Sequence, residues 1–418
     1  MEMSKSERIK RSILIIVIMV VALVSIISSR EKRARKNAEN RKEEIVEQVG
    51  DYNIDIIRVT NSLSKGSNYL ISPYNIEVAL NLLREGADGN TKDEIDKVIG
   101  NRKINDVSIE NKIKVANGVF IKNSYKNIIK NDFINSLEDK YQAEVLYDDF
   151  KEPTVINNWV NNKTNGMIEK LLDKMDDMFV LGLASSLALD VKWSSEFECI
   201  NTKEEVFIKE DKQEFKTEMM HQTYEYSAQY FENEDAKGII LPYEKVSGNE
   251  NELEFVGIIP NTTVDEYINK LTSDKLNSIF NNTKASSSKL HINLSLPRFT
   301  YSYSIDDLKG VLNKMGIIDA FNQEKANFSK ITDEERLYVS TAIHKTKIEL
   351  NERGTKAAAV TFFGLDAMGL APQDYEEINI EFNKPFIYMI REKNTNEILF
   401  FGTVYEPNEW KGSTCADE

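Results

Sequence analysis

The side chains that could carry covalent or metal chemistry are few. The chain holds three histidines, His221, His291 and His344, and two cysteines, Cys199 and Cys415. It has no G-x-S-x-G turn to present a nucleophilic serine, no H-E-x-x-H pair for zinc and no glycine-rich loop for phosphate. Asp190 and Asp319 stand at no catalytic spacing from any histidine. Hydrolase chemistry is therefore excluded on motif grounds, the chain is read as not an enzyme, and no cofactor or metal is expected. The cysteines show neither paired metal spacing nor a disulfide framework, and Cys415, in a polar C-terminal tail, reads as a free thiol.

The pattern that needs explaining lies between Glu352 and Pro372. Laid out as a strand, it puts Thr355, Ala357, Ala359 and Thr361 on one side and Lys356, Ala358 and Val360 on the other. The first side is small throughout, and the second tolerates a charge. No proline occurs from 352 to 371, and Gly354 offers a pivot. Such a segment can enter the interior of a sheet without a clash or a lost ladder hydrogen bond. Phe362 to Pro372 follows, with Asp366 its only charge, and reads as an exposed loop. Taken alone, Ala357–Ala359 suits an ordinary alanine-rich helix or loop better than a strand.

The surrounding elements set where this segment sits. Ile54, Ile57, Val59 and Leu63 mark an amphipathic helix. Ser72 caps a second helix with Pro73 at its first position, and Ile76, Ala79, Leu80 and Leu83 share one face. Gly86 ends that helix. Gly89-Asn90-Thr91 opens the next, with Thr91 and Glu94 as a capping box. Helical spacing also runs over Thr154–Leu172 and Ile305–Met315. Strand patterns cover Ser185–Val191, Leu253–Ile259, Leu290–Leu296, Leu337–Leu350, Ile378–Arg391 and Ile398–Tyr405. Helices early and strands late favour an α+β fold over alternating βαβ units. No linker or repeat divides residues 51–409, which read as one domain.

The 418 residues carry a net charge of −15, which argues against a nucleic-acid partner. The charge is uneven: residues 1–50 hold 11 Lys and Arg against 7 Asp and Glu, whereas the remainder is strongly acidic. Ser12 to Ser29 is an uncharged apolar run of 18 residues, long enough as a helix for ~27 Å. It reads as an uncleaved signal anchor rather than a cleaved signal peptide, because no small-residue cleavage site follows and the next residues are basic. Residues 1–11 then form a cytoplasmic basic leader, 30–50 a charged stalk and 410–418 a polar tail. Both flanks are basic, so charge alone does not orient the span.

Several segments carry a likeness to a known family. They are Asn68-Tyr-Leu-Ile-Ser-Pro-Tyr-Asn75, Leu83-Arg-Glu-Gly-Ala-Asp-Gly-Asn-Thr91, Ala116-Asn-Gly-Val-Phe120, Ile156-Asn-Asn-Trp-Val160 and Lys163-Thr-Asn-Gly166. Further along stand Leu294-Ser-Leu-Pro-Arg-Phe299, Met315-Gly-Ile-Ile-Asp-Ala-Phe321, Glu352-Arg-Gly-Thr-Lys-Ala-Ala-Ala-Val-Thr361 and Ile380-Glu-Phe-Asn-Lys-Pro-Phe-Ile-Tyr-Met-Ile390. In this order, over about 51–408, they resemble the serpin family of serine protease inhibitors.

The resemblance implies a large central sheet and a hinge made of Glu352, Gly354, Thr355, Ala357, Ala358, Ala359 and Thr361. It implies that a protease cleaves the exposed loop, becomes trapped as an acyl-enzyme, and is carried ~46 Å as fourteen hinge residues insert into the sheet. The usual spacing puts the scissile bond between Met368 and Gly369, with Phe363, Leu365 and Leu370 as alternatives. Chymotrypsin-, elastase- or subtilisin-like enzymes are the implied partners, with a cysteine protease an alternative, and the chain is expected to be a monomer. Ser72, Ser185 and His344 resemble the sheet-opening cluster, with Ser185 where asparagine is usual and Asn75 where serine is common. Trp193, Arg298 and Glu352 resemble the group where insertion begins, with an Arg298–Glu352 ion pair expected. Phe382, Asn383, Pro385 and Phe386 belong to the family signature. Lys356 and Val360 depart from the usual hinge, both on the outward side. The alternative reading is a non-inhibitory serpin-fold surface protein acting as a binding module or decoy. An inhibitor of external proteases would face outward from a membrane anchor, or be secreted if the leader is cut. The abundance of Lys, Ile and Asn points to an AT-rich, bacterial source.

Overall fold

The computed structural model describes residues 52–100, 104–110, 112–355 and 375–407. The fold is mixed α and β, as its sequence pattern predicts. A seven-stranded sheet runs in the order β1-β18-β17-β10-β9-β8-β11. Its strands are β1 (Tyr69–Ile71), β8 (Gln229–Glu232), β9 (Ala236–Pro242), β10 (Leu253–Pro260), β11 (Lys284–Ala285), β17 (Phe386–Glu392) and β18 (Ile398–Val404). The strands β10, β17 and β18 are buried along their whole length, which explains their nearly continuous apolar runs. A second sheet, β16-β12-β7-β6, joins β6 (Lys203–Ile208), β7 (Glu214–Tyr224), β12 (Leu290–Pro297) and β16 (Glu376–Glu381).

Two further sheets hold the functional region. One is β3-β2-β4, from β2 (Ile113–Lys122), β3 (Glu144–Asp148) and β4 (Leu181–Leu189). The other is β13-β14-β15-β5, from β5 (Val191–Lys192), β13 (Phe299–Ile305), β14 (His344–Asn351) and β15 (Gly354–Thr355). The strands β4 and β5 follow one another across Asp190, so one length of chain serves both sheets. Among the described residues no ladder joins β4 to β14. Below the short bridge made by β15 there is instead a cleft, lined by Leu183, Ser185 and Leu187 on one side and Ile343, His344 and Thr346 on the other.

Helices pack behind these sheets: α1 (52–63), α2 (Pro73–Gly86), α3 (Gly89–Ile99), α4 (Asn131–Tyr141), α5 (Thr154–Lys163), α6 (Val264–Asn269), α7 (Ser273–Asn281) and α8 (Leu308–Met315). The helix α2 starts as its sequence dictates: Ser72 Oγ accepts from the Asn75 N–H, and Pro73 opens the first turn.

Several expectations are corrected. The capping box at Thr91 and Glu94 does not form. Asp88 is the N-cap of α3, Thr91 Oγ1 accepts from the Asn327 N–H, and the Glu94 carboxylate accepts from the amides of Ile318 and Asp319. The helix over Thr154–Leu172 stops at Lys163, because Asn165 and Gly166 take positive φ; Ile168, Leu171 and Leu172 still pack on its core from a loop. Ile305 belongs to β13. The strand over Leu337–Leu350 begins only at His344, and Ile378–Arg391 divides into β16 and β17 around Asn383-Lys384-Pro385.

Cys199 is disulfide-bonded. Cys415, read from the sequence as a free thiol, lies outside the described residues. Among the described residues no helix is long and apolar enough to cross a membrane. The apolar run Ser12–Ser29 lies outside them.

Candidate functional site

The site is the end of the cleft where the hinge leaves β14. Gly354 and Thr355 form a two-residue strand seated between Leu350 and Asn351 of β14 and Val191 and Lys192 of β5. Only glycine fits the first of these positions. A Cβ on Gly354 would lie 2.1 Å from the Val191 carbonyl oxygen and 2.7 Å from Lys192 Cα, both backbone atoms, and φ is +155°. Thr355 is 3 % exposed, and its hydroxyl lies 2.7 Å from the Tyr243 hydroxyl. Burial pushes the Tyr243 phenol up, so it stays protonated.

Trp193 latches the turn that precedes the seat. Its backbone N–H donates to the Arg353 carbonyl and its indole N–H to the Asn351 carbonyl, each at 2.9 Å. Its ring stacks on Tyr243 at 4.7 Å and 8° and meets Phe255 edge-on. The Asn351 side chain accepts from the amides of Arg353 and Gly354, closing the turn.

Arg298 and Glu352 meet as expected, at 3.3 Å, with both side chains almost fully buried. Two partners were not legible. Glu218 accepts from Arg298 Nε at 2.8 Å and also from Nη2, and Thr202 donates to Glu352 at 2.7 Å. The Phe197 N–H donates to the Glu352 carbonyl. A buried arginine with two carboxylates and a hydroxyl thus fixes the base of the hinge.

Farther down the cleft, Ser72, Ser185 and His344 are brought close but not into one mutual cluster. The Ser72 N–H donates to His344 Nε2 at 3.0 Å. Ser185 pairs with Asn75 instead: its hydroxyl donates to Asn75 Oδ1 at 2.5 Å, and Asn75 Nδ2 donates to the Ser185 carbonyl at 2.9 Å. The two unusual residues compensate for one another on the β4 side, while His344 is held on the β14 side. Burial lowers the His344 imidazole to about 4, so it is neutral and can accept from Ser72.

The two signature phenylalanines pack in the hydrophobic core. Phe382 and Phe386 are fully buried with ring centroids 4.9 Å apart, and Phe382 fills the space beside Gly257 that a Cβ would take. The Asn383 carbonyl accepts from the Ile208 N–H, and Pro385 stands in the turn between β16 and β17. Ala357, Ala358, Ala359 and Thr361 of the hinge, and Phe363, Leu365, Met368, Gly369 and Leu370 of the loop, lie outside the described residues. Among the described residues no group of His, Cys, Asp and Glu could hold a metal ion.

Comparison with known proteins bears on this arrangement. Residues 47–407 match the family model described as Serpin (serine protease inhibitor). Glia-derived nexin of Rattus norvegicus is 32 % identical over 380 residues, covering 84 % of this chain and 91 % of the relative. Neuroserpin of Homo sapiens is 28 % identical over 393 residues, covering 86 % and 91 %. Among solved structures, the native state of the thermophilic serpin tengpin superposes with a TM-score of 0.74 at 33 % identity, covering 87 % of this chain and 94 % of that one. The family description replaces the bare expectation of no enzyme activity with a stated role, serine protease inhibitor. The chain belongs to the serpin family.

Proposed function

We propose that the chain inhibits its protease by presenting the segment after Thr355 as a substrate and then inserting it. The protease serine attacks the Met368 carbonyl, the amine of Gly369 departs, and an ester to Met368 remains. The freed hinge then fills the cleft between β4 and β14 before water can release the ester. The observation that carries this reading is the seat of β15: two hinge residues already paired on both sides, at the end of a cleft that no ladder closes among the described residues. An apolar, unbranched Met368 suits chymotrypsin-, elastase- or subtilisin-like pockets. We further propose that Ser12–Ser29 anchors a bacterial chain in the membrane, with leader 1–11 inside and stalk 30–50, domain 51–409 and tail 410–418 outside.

The test mixes the chain with chymotrypsin, elastase and subtilisin. The expected result is a covalent complex that survives denaturing electrophoresis, together with a released C-terminal peptide whose mass begins at Gly369. Clean loop cleavage with full protease activity, and no rise in melting temperature of the cleaved form, would favour the non-inhibitory alternative.

A further inference from the structure

The uncut loop is tied at both ends. Thr355 is seated in β15, and the next paired residue after the loop is Glu376 in β16, with twenty residues between them. An inserted strand advances ~3.3 Å per residue, and the return path spans at most ~3.5 Å per residue. Only about half of the twenty residues can therefore insert while β16 stays in place. Deeper insertion without cleavage requires β16 to leave β12.

Little holds β16. Among the described residues it is the edge strand of its sheet and pairs with β12 alone, with one side-chain hydrogen bond from Asn293 to Asn379, and it buries Ile380 as its single fully enclosed side chain. Its loop end carries the exception. Tyr375 stacks on the His291 ring at 3.8 Å and 19°, and the Glu376 N–H donates to the Lys289 carbonyl. Tyr375 is 47 % exposed, whereas the His291 side chain is 13 % exposed, built into β12, with Nε2 3.9 Å from Glu225. One ring stands just before the strand that must leave, and the other belongs to the strand that stays.

We propose that His291 is a positioning residue that locks the C-terminal foot of the loop, and so keeps the uncut chain from burying its own loop. Peeling starts at Tyr375, so the stack must open before any β16 ladder bond breaks. The proposal rests on reading the loop as an insertable strand.

The test uses the full chain as wild type, His291→Ala and His291→Phe, each held uncut just below its unfolding transition. Samples are scored for molecules that resist loop cleavage by chymotrypsin and melt at a raised temperature. His291→Ala is expected to convert roughly two- to tenfold faster than wild type, the range of one aromatic pair. His291→Phe, which keeps the stack, is expected to convert at the wild-type rate, with all three native forms melting together. The lock is overturned if His291→Ala remains native as long as the wild type, or if His291→Phe converts as fast as His291→Ala. Wild type cut in the loop serves as the parallel arm, because cutting frees the foot. No thermal stabilisation there would sink the insertion reading itself; stabilisation there with no acceleration in His291→Ala would sink the lock alone.

Discussion

Gly354→Ala tests whether the hinge seat matters. The added Cβ would sit 2.1 Å from the Val191 carbonyl oxygen, so one strand must retreat by about 0.9 Å to reach even a 3.0 Å contact. Neither atom can move as a side chain does, because both neighbours of the seat are sheet backbone. Retreat of the hinge gives up its ladder bonds to β14 and β5 and the Thr355–Tyr243 hydrogen bond. At ~1 kcal/mol each, three or four such bonds amount to ~3–4 kcal/mol, or a few hundred-fold in occupancy of the seat. Leaving the buried Tyr243 hydroxyl unpaired adds to that cost. Two readouts follow. Trp193 bonds to the turn and stacks on Tyr243, so its emission should shift when the hinge unseats. Inhibition should need many more than one inhibitor per protease, because cleavage then outruns insertion. A Gly354→Ala protein with unchanged emission that still inhibits one for one would refute the role given to the seat.

Three further outcomes are expected. Thr355→Arg should turn the inhibitor into a substrate, since it places an unpaired charge beside Tyr243 at a position 3 % exposed; retained one-for-one inhibition counts against insertion. Arg298→Ala leaves Glu352 and Glu218 without their cation and should lower stability by roughly 3 kcal/mol and speed loop insertion, so an unchanged melting temperature and insertion rate would remove the ion pair from the account. His344 is depressed from 6.5 to about 4 by burial. Between those values the unfolded chain binds the proton and the folded one does not, so stability should fall as pH drops from 6.5 towards 4, by ~3 kcal/mol in all. Melting curves of wild type and His344→Gln at pH 7.5 and 4.5 measure this, and equal pH losses in both would exclude His344 as the cause.

What could be read from the sequence was what local chemistry fixes. Ser72 and Pro73 begin α2 because a cap and a proline act within one turn. Gly354 and Thr355 open a segment whose residues can lie as a strand, and both pair in β15, while the alanines after them lie outside the described residues. The Arg298–Glu352 pair came through family likeness, yet its second carboxylate, Glu218, lies 80 residues from Arg298 in the chain and carries no local mark. Tyr243 was missed for the same reason, being joined to Thr355 across 112 residues. Where local pattern misled, tertiary partners had claimed the residue: Thr91 and Glu94 have capping-box spacing but serve amides of the 318–327 segment.

The open slot between β4 and β14 has a consequence for how the protein is handled. Among the described residues, each flank below β15 offers unladdered amides and carbonyls to any extended peptide of matching length. Nothing in backbone pairing distinguishes the molecule's own segment from that of a neighbour. On the insertion proposed above, self-filling would proceed at a rate independent of how crowded the solution is, whereas filling by a second molecule would grow with concentration. Dilute storage therefore favours the solitary species, and concentrated storage favours chains linked end to end through one another's sheets.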